Sequence, residues 1–123
     1  MSGYSVAILG ATGLVGRTFL HLLEERSFPL KELKLLASAR SAGTRLPAFG
    51  EEIEVQEATP DSFQDIDIAL FSAGGDVSRR LAPEAVSRGA VVVDNSSAWR
   101  MDPAVPLVVP EVNPDDLSWH KGI

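Results

Sequence analysis

Four apolar residues, Val6-Ala7-Ile8-Leu9, run directly into Gly10-Ala11-Thr12-Gly13-Leu14-Val15-Gly16. With Leu14 and Val15 leading in, Phe19, Leu22 and Leu23 then recur at helical spacing until Ser27-Phe28-Pro29 breaks the pattern. A short apolar run halted by glycine reads as a parallel strand buried on both faces, and the spacing after it as an amphipathic helix. Gly10 sits where the chain must reverse through backbone angles closed to other residues, and Gly16 lets the helix lie close against the strand. Gly13 lets the main chain approach a pyrophosphate, which the free N–H groups and positive dipole end of the following helix would hold. The motif therefore predicts a site for the diphosphate of a dinucleotide. Its spacing is G-x-x-G-x-x-G rather than the commoner G-x-G-x-x-G, and three glycines also make a plain tight turn. The readable strand before and helix after favour phosphate binding. Thr12 is either a further hydroxyl donor or a local backbone partner.

The rest of the chain repeats the alternation. Residues 33–37 read as a second strand, 38–50 as a loop carrying two glycines and Pro47, and 53–57 as a half-exposed strand. Residues 66–71 form another buried run closed by Ser72-Ala73-Gly74-Gly75. A helical stretch over 77–88 follows, which Pro83 is expected to kink or restart. Residues 90–93 are a further buried strand, and 107–109 a candidate for one more before Pro110. Strands alternating with helices imply a Rossmann-like, doubly wound α/β fold, a mostly parallel sheet with helices on both faces. At 123 residues the chain is expected to be one dinucleotide-binding domain. From Pro103 onward four prolines punctuate short segments, and the chain reads as one cut short, without a closing helix.

Charge and composition exclude several functions. A net charge of −6 argues against a broad nucleic-acid or anionic-membrane surface. No apolar run approaches the roughly 20 residues that span a bilayer, so a soluble, cytoplasmic protein without a membrane partner is expected. The chain has no cysteine, which removes disulfides, thiolate metal sites and a thiol nucleophile from these residues. His21 reads as a surface residue of the first helix and His120 has no identifiable partner, so no metal site is expected.

The second strand selects the nucleotide. NAD enzymes place an acid about 20 residues beyond the glycines to bind the ribose 2′-hydroxyl. Here the corresponding stretch is Ala37-Ser38-Ala39-Arg40-Ser41-Ala42-Gly43, which offers a guanidinium and two hydroxyls, groups suited to a 2′-phosphate. NADP is the expected cofactor. The alternative is that Arg40 is an ordinary solvated arginine.

Together with these two segments, Ala69-Leu70-Phe71-Ser72-Ala73-Gly74, Val92-Val93-Asp94-Asn95-Ser96-Ser97 and Pro106-Leu107-Val108-Val109-Pro110-Glu111-Val112-Asn113 resemble aspartate-semialdehyde dehydrogenase, in order over nearly the whole chain. That family reduces the acyl phosphate of aspartate to its semialdehyde with NADPH, through a cysteine thioester. The resemblance implies that Thr12, Gly13, Leu14 and Val15 line the pyrophosphate, Ser38, Arg40 and Ser41 the 2′-phosphate, and Ser72, Ala73 and Gly74 the nicotinamide side. For the last group a simple strand-to-helix turn is the alternative. It implies that Arg100 grips the substrate phosphate, with Asn95 facing the substrate or merely closing the fifth strand. It further implies a small-molecule substrate, aspartyl phosphate or aspartate semialdehyde, and a homo-oligomeric complete enzyme. The family's nucleophilic cysteine and acid–base histidine lie downstream of residues matched here, so no catalytic residue is expected in this chain and it is expected to be inactive alone. The competing readings are an N-acetylglutamyl-phosphate reductase-like enzyme and a non-catalytic dinucleotide-binding module.

Overall fold

The structure, a computed structural model, describes residues 3–123. Its elements are β1 (Tyr4–Leu9), α1 (Leu14–Glu25), β2 (Leu30–Ala37), β3 (Arg45–Ala48), β4 (Glu51–Glu57), β5 (Ile68–Phe71), α2 (Gly75–Ser87) and β6 (Val91–Asp94), with 3-10 turns at Pro60–Phe63 and Pro114–Trp119. The six strands form one sheet in the order β3-β4-β2-β1-β5-β6. Every pairing is parallel except the β3–β4 hairpin. The doubly wound α/β fold is present.

Alternate side chains of the central strands separate two apolar layers. Ile8, Leu35, Ala37 and Val55 pack with Leu20 of α1 on one face. Ala7, Leu9, Leu36, Ala69 and Phe71 pack with Leu81, Ala82 and Ala85 of α2 on the other. The period-2 alternation of a strand thus meets one helix on each side. The predicted helices on both faces are found.

Three expectations need correction. Residues 38–50 are not all loop, because Arg45–Ala48 forms β3, with Leu46 and Ala48 buried against the sheet. The hairpin turn is Phe49-Gly50, both with positive φ (53° and 78°), as the twist of a two-residue antiparallel hairpin requires. The Phe49 N–H donates to Glu24 Oε1 at 2.8 Å, fixing this turn to α1. Pro47 is tolerated because β3 is an edge strand. Second, Pro83 neither ends α2 nor starts a new helix; it lies inside one continuous helix. The i−4 carbonyl it leaves free is that of exposed Arg79, which water can satisfy, while Leu81, Ala82 and Ala85 remain packed. Third, residues 107–109 are not a strand. Asn113 organises that segment as a loop, accepting from the Val109 N–H at 2.7 Å and donating to Leu107 O at 2.8 Å.

At the far end of α2, Arg88 donates to Glu84 Oε1 at 2.9 Å and Asp61 Oδ1 at 3.2 Å. These carboxylates, the Glu84 hydrogen bond foremost, raise the guanidinium pKa above its ordinary value. No helix among the described residues is long and apolar enough to cross a membrane.

Candidate functional site

The chain leaves β1 for β2 on one side, whereas β5 pairs with β1 on the other. Strand order reverses there, and the carboxyl ends of β1 and β5 open into a crevice. The Ser72 N–H donates to Leu9 O at 2.9 Å, tying the two strand ends together. Gly10 (φ 84°) crosses directly over this junction; a Cβ on it would lie 2.7 Å from the Ser72 carbonyl carbon. Gly16, the third residue of α1, lies against the same turn, and a Cβ there would meet Gly10 C and Ala11 Cα at 2.8 Å. Gly13 differs: its φ is −79° and a Cβ would make only an ordinary contact, at 3.5 Å with Gly10 O.

Helix α1 begins at Leu14, so Leu14 and Val15 belong to its first turn rather than leading into it. Gly13 is its N-cap, with no side-chain capping bond and no acidic residue in the first turn. The Gly13 N–H donates to Gly10 O and the Arg17 N–H to Gly13 O, whereas the N–H groups of Thr12, Leu14, Val15 and Gly16 find no partner among the described residues. An uncapped helix start with free donors attracts an anion through both hydrogen bonding and the helix dipole. The Thr12 hydroxyl has no protein partner among the described residues either, so it is not spent on a local backbone bond.

A cleft of about 500 Å³ opens over this turn, within the range of roughly 300–1,000 Å³ common for small-molecule sites. Gly10, Thr12, Gly13, Ser38, Ser41, Ser72 and Ala73 line it, bringing together residues predicted from three separate segments. Leu14, Val15 and Gly16, in the first turn of α1, are not among its lining. Arg40 lies outside the lining, exposed at the tip of the turn after β2, and makes no hydrogen bond or ion pair among the described residues. Gly74 is the N-cap of α2, at φ 89°. Sequence reasoning missed Glu57, Ala58, Val77, Arg80 and Leu81, which also line the cleft. Val77, Arg80 and Leu81 recur at helical spacing, but only the placement of α2 shows which face meets the cleft.

Asn95 and Arg100 line a second cleft, of about 670 Å³, along the outer edge of β6. Arg100 Nη2 donates to Asn95 O at 3.3 Å. Their loop is anchored from beneath: the Asp94 carboxylate accepts from Ser78 Oγ at 2.6 Å, Ser96 Oγ at 2.7 Å and Ser96 N at 2.9 Å, while Trp99 Nε1 donates to Ser78 Oγ at 2.8 Å. Ser78, on α2, is 1% exposed. This bridge between α2 and the loop went unread in the sequence. Among the described residues no cluster of histidine and acidic side chains is arranged to hold a metal ion.

The family described as semialdehyde dehydrogenase, NAD binding domain, matches residues 5–120. The chain belongs to this family. Aspartate-semialdehyde dehydrogenase of Bacillus subtilis (strain 168) is 60% identical over 121 residues, and that of Aquifex aeolicus 62% over 120 residues. These alignments cover 98% and 97% of this chain but 35% of each relative. The semialdehyde dehydrogenase fold is shared with a crystal structure of the Vibrio cholerae enzyme II complexed with ASA, at a TM-score of 0.90 and 49% identity, covering 95% of this chain and 38% of that one. It is shared also with the Candida albicans enzyme with NADP, at a TM-score of 0.80 and 34% identity, covering 95% of this chain and 36% of that one. The chain is thus the nucleotide-binding part of an oxidoreductase family, spanning about a third of its relatives' length.

Proposed function

We propose that residues 1–123 are the NADP-binding domain of an aspartate-semialdehyde dehydrogenase, which reduces L-aspartyl 4-phosphate to the semialdehyde in amino-acid biosynthesis. The observation that carries the reading is the cleft at the β1/β5 switch point, where the uncapped start of α1 meets the hydroxyls of Ser38 and Ser41. A dinucleotide fits the donors present. Thr12, Leu14, Val15 and Gly16 would supply N–H groups to its diphosphate, with Gly10 and Gly13 keeping the main chain low enough for contact. Ser38, Ser41 and Arg40 would surround the 2′-phosphate, and no acidic side chain occupies the end of β2 to bind a free 2′-hydroxyl. Small residues Ser72, Ala73 and Gly74 would leave room for the nicotinamide ring beside β5. The bound cofactor supplies hydride chemistry; these residues orient it and neutralise its charge.

Arg100 and Asn95, together on one loop, are the residues proposed for the acyl-phosphate substrate. A guanidinium binds phosphate bidentately and keeps its charge at any working pH. These 123 residues include no cysteine, so they supply no thiol for acyl transfer. The complete enzyme is proposed to be a homo-oligomer, as the resemblance implies.

Titration calorimetry with NADPH and NADH tests the cofactor assignment. The chain is expected to prefer NADPH, and Arg40→Ala to weaken NADPH about tenfold with NADH unchanged, the size of one charge-assisted hydrogen bond. Equal losses for the two nucleotides would show that Arg40 does not read the 2′-phosphate.

A further inference from the structure

Helix α2 and its C-cap carry three arginines, Arg79, Arg80 and Arg88, and two are engaged. Arg79 Nη1 pairs with Asp76 at 2.9 Å, and Arg88 with Glu84 at 2.9 Å and Asp61 at 3.2 Å. Arg80 stands between them without a hydrogen bond or ion pair among the described residues. The two carboxylates best placed to hold it on a helix are Asp76, four residues before, and Glu84, four residues after. Both are turned to other arginines. Arg80 instead lines the nucleotide cleft with Ser38 and Ser41, on the α2 face that also presents Val77 and Leu81 to it.

The same lining includes a single carboxylate, that of Glu57 at the end of β4. A negative side chain there opposes a phosphomonoester dianion, so selection of a 2′-phosphate needs more positive charge than an exposed arginine at the loop tip supplies. We propose that Arg80 is a second specificity-determining residue for the coenzyme, its guanidinium closing on the 2′-phosphate from the α2 side of the cleft, opposite Ser38 and Ser41. This rests on the NADP reading given above. Arg80 and Arg40 bracket the phosphate from two independent elements, and Arg80 offsets Glu57.

The test is titration of the 123-residue chain with NADPH and with NADH, for wild type, Arg80→Ala and Arg80→Gln. Both substitutions are on an exposed side chain, and circular dichroism checks that the helix content is kept. The expected result is NADPH binding weakened about tenfold or more in both variants, with NADH binding unchanged. If the variants keep the wild-type preference for NADPH, or lose affinity for both nucleotides alike, Arg80 is not a reader of the 2′-phosphate and the cofactor reading survives without it. A wild-type chain that binds the two nucleotides equally, or neither, overturns the cofactor reading and the role of Arg80 together.

Discussion

Gly13 and Gly16 belong to one motif but differ in what a side chain would meet. At Gly16 an added methyl would press on the backbone of Gly10 and Ala11, which cannot move without lifting α1 from β1. Gly16→Ala is therefore expected to cost about 1–3 kcal/mol in urea denaturation, the usual range for overpacking a close contact. At Gly13 the backbone is accessible to any residue and the nearest atom is 3.5 Å away. Gly13→Ala is expected to leave stability within about 0.5 kcal/mol but to weaken nucleotide binding, because a methyl at this turn would keep a diphosphate from approaching the main chain. A Gly13→Ala chain that binds normally would show that the diphosphate does not lie on this turn. Both glycines were readable from spacing. So were the separate parts expected of them; how little room each leaves, 2.8 Å to Ala11 Cα at Gly16 against 3.5 Å to Gly10 O at Gly13, is a property of packed elements that the sequence does not carry.

Among the elements, α2 is joined to the loop after β6 by hydrogen bonds through Ser78, beside the packing of Trp99 on the core cluster that α2 helps to form. Ser78 both donates to Asp94 and accepts from Trp99, and it is buried. Ser78→Ala would strand the Trp99 N–H and one Asp94 lone pair, with an expected cost of about 1–3 kcal/mol. Denaturation followed by tryptophan emission measures that loss, and a shift of the native emission would report the freed indole. An unchanged midpoint would mean that water replaces the serine. The hairpin gives a second lesson at this scale. Arg45-Leu46-Pro47-Ala48 has the alternation of a strand, but its proline and the flanking glycines speak for a loop when read locally. The edge position decides the matter, since a proline there breaks no ladder on its solvent side. Pro83 is the parallel case in a helix, where packing of Leu81, Ala82 and Ala85 outweighs the lost hydrogen bond.

Across the whole molecule, exposed apolar surface gathers beside one edge of the sheet. The cleft proposed for the nucleotide lies at the sheet's switch point, while the outer edge of β6 leaves Val91 and Val93 partly exposed beside Leu107 and Val109. Gly122 O accepts from the Val92 N–H at 2.6 Å, covering one point of that edge. In the proposed reading the chain combines a cofactor platform and a substrate-side loop, without a thiol. Incubated alone with NADPH and aspartyl phosphate, it is expected to bind coenzyme but show no consumption of NADPH by absorbance. Turnover by these residues alone would require a nucleophile other than cysteine and would overturn the proposed division of labour.

The glycine spacing, the buried apolar runs and the serines after β2 determined the fold class and several of the residues that line the cleft proposed for the nucleotide, because buried strands and glycine-rich turns leave local marks in sequence. Only the tertiary structure decided that Glu57, Val77 and Arg80 share that cleft, that Asp94 is held by Ser78, and that residues 45–48 form an edge strand. The reason is common to all three. Each depends on which face of one element meets another, and periodicity specifies a face without naming its neighbour.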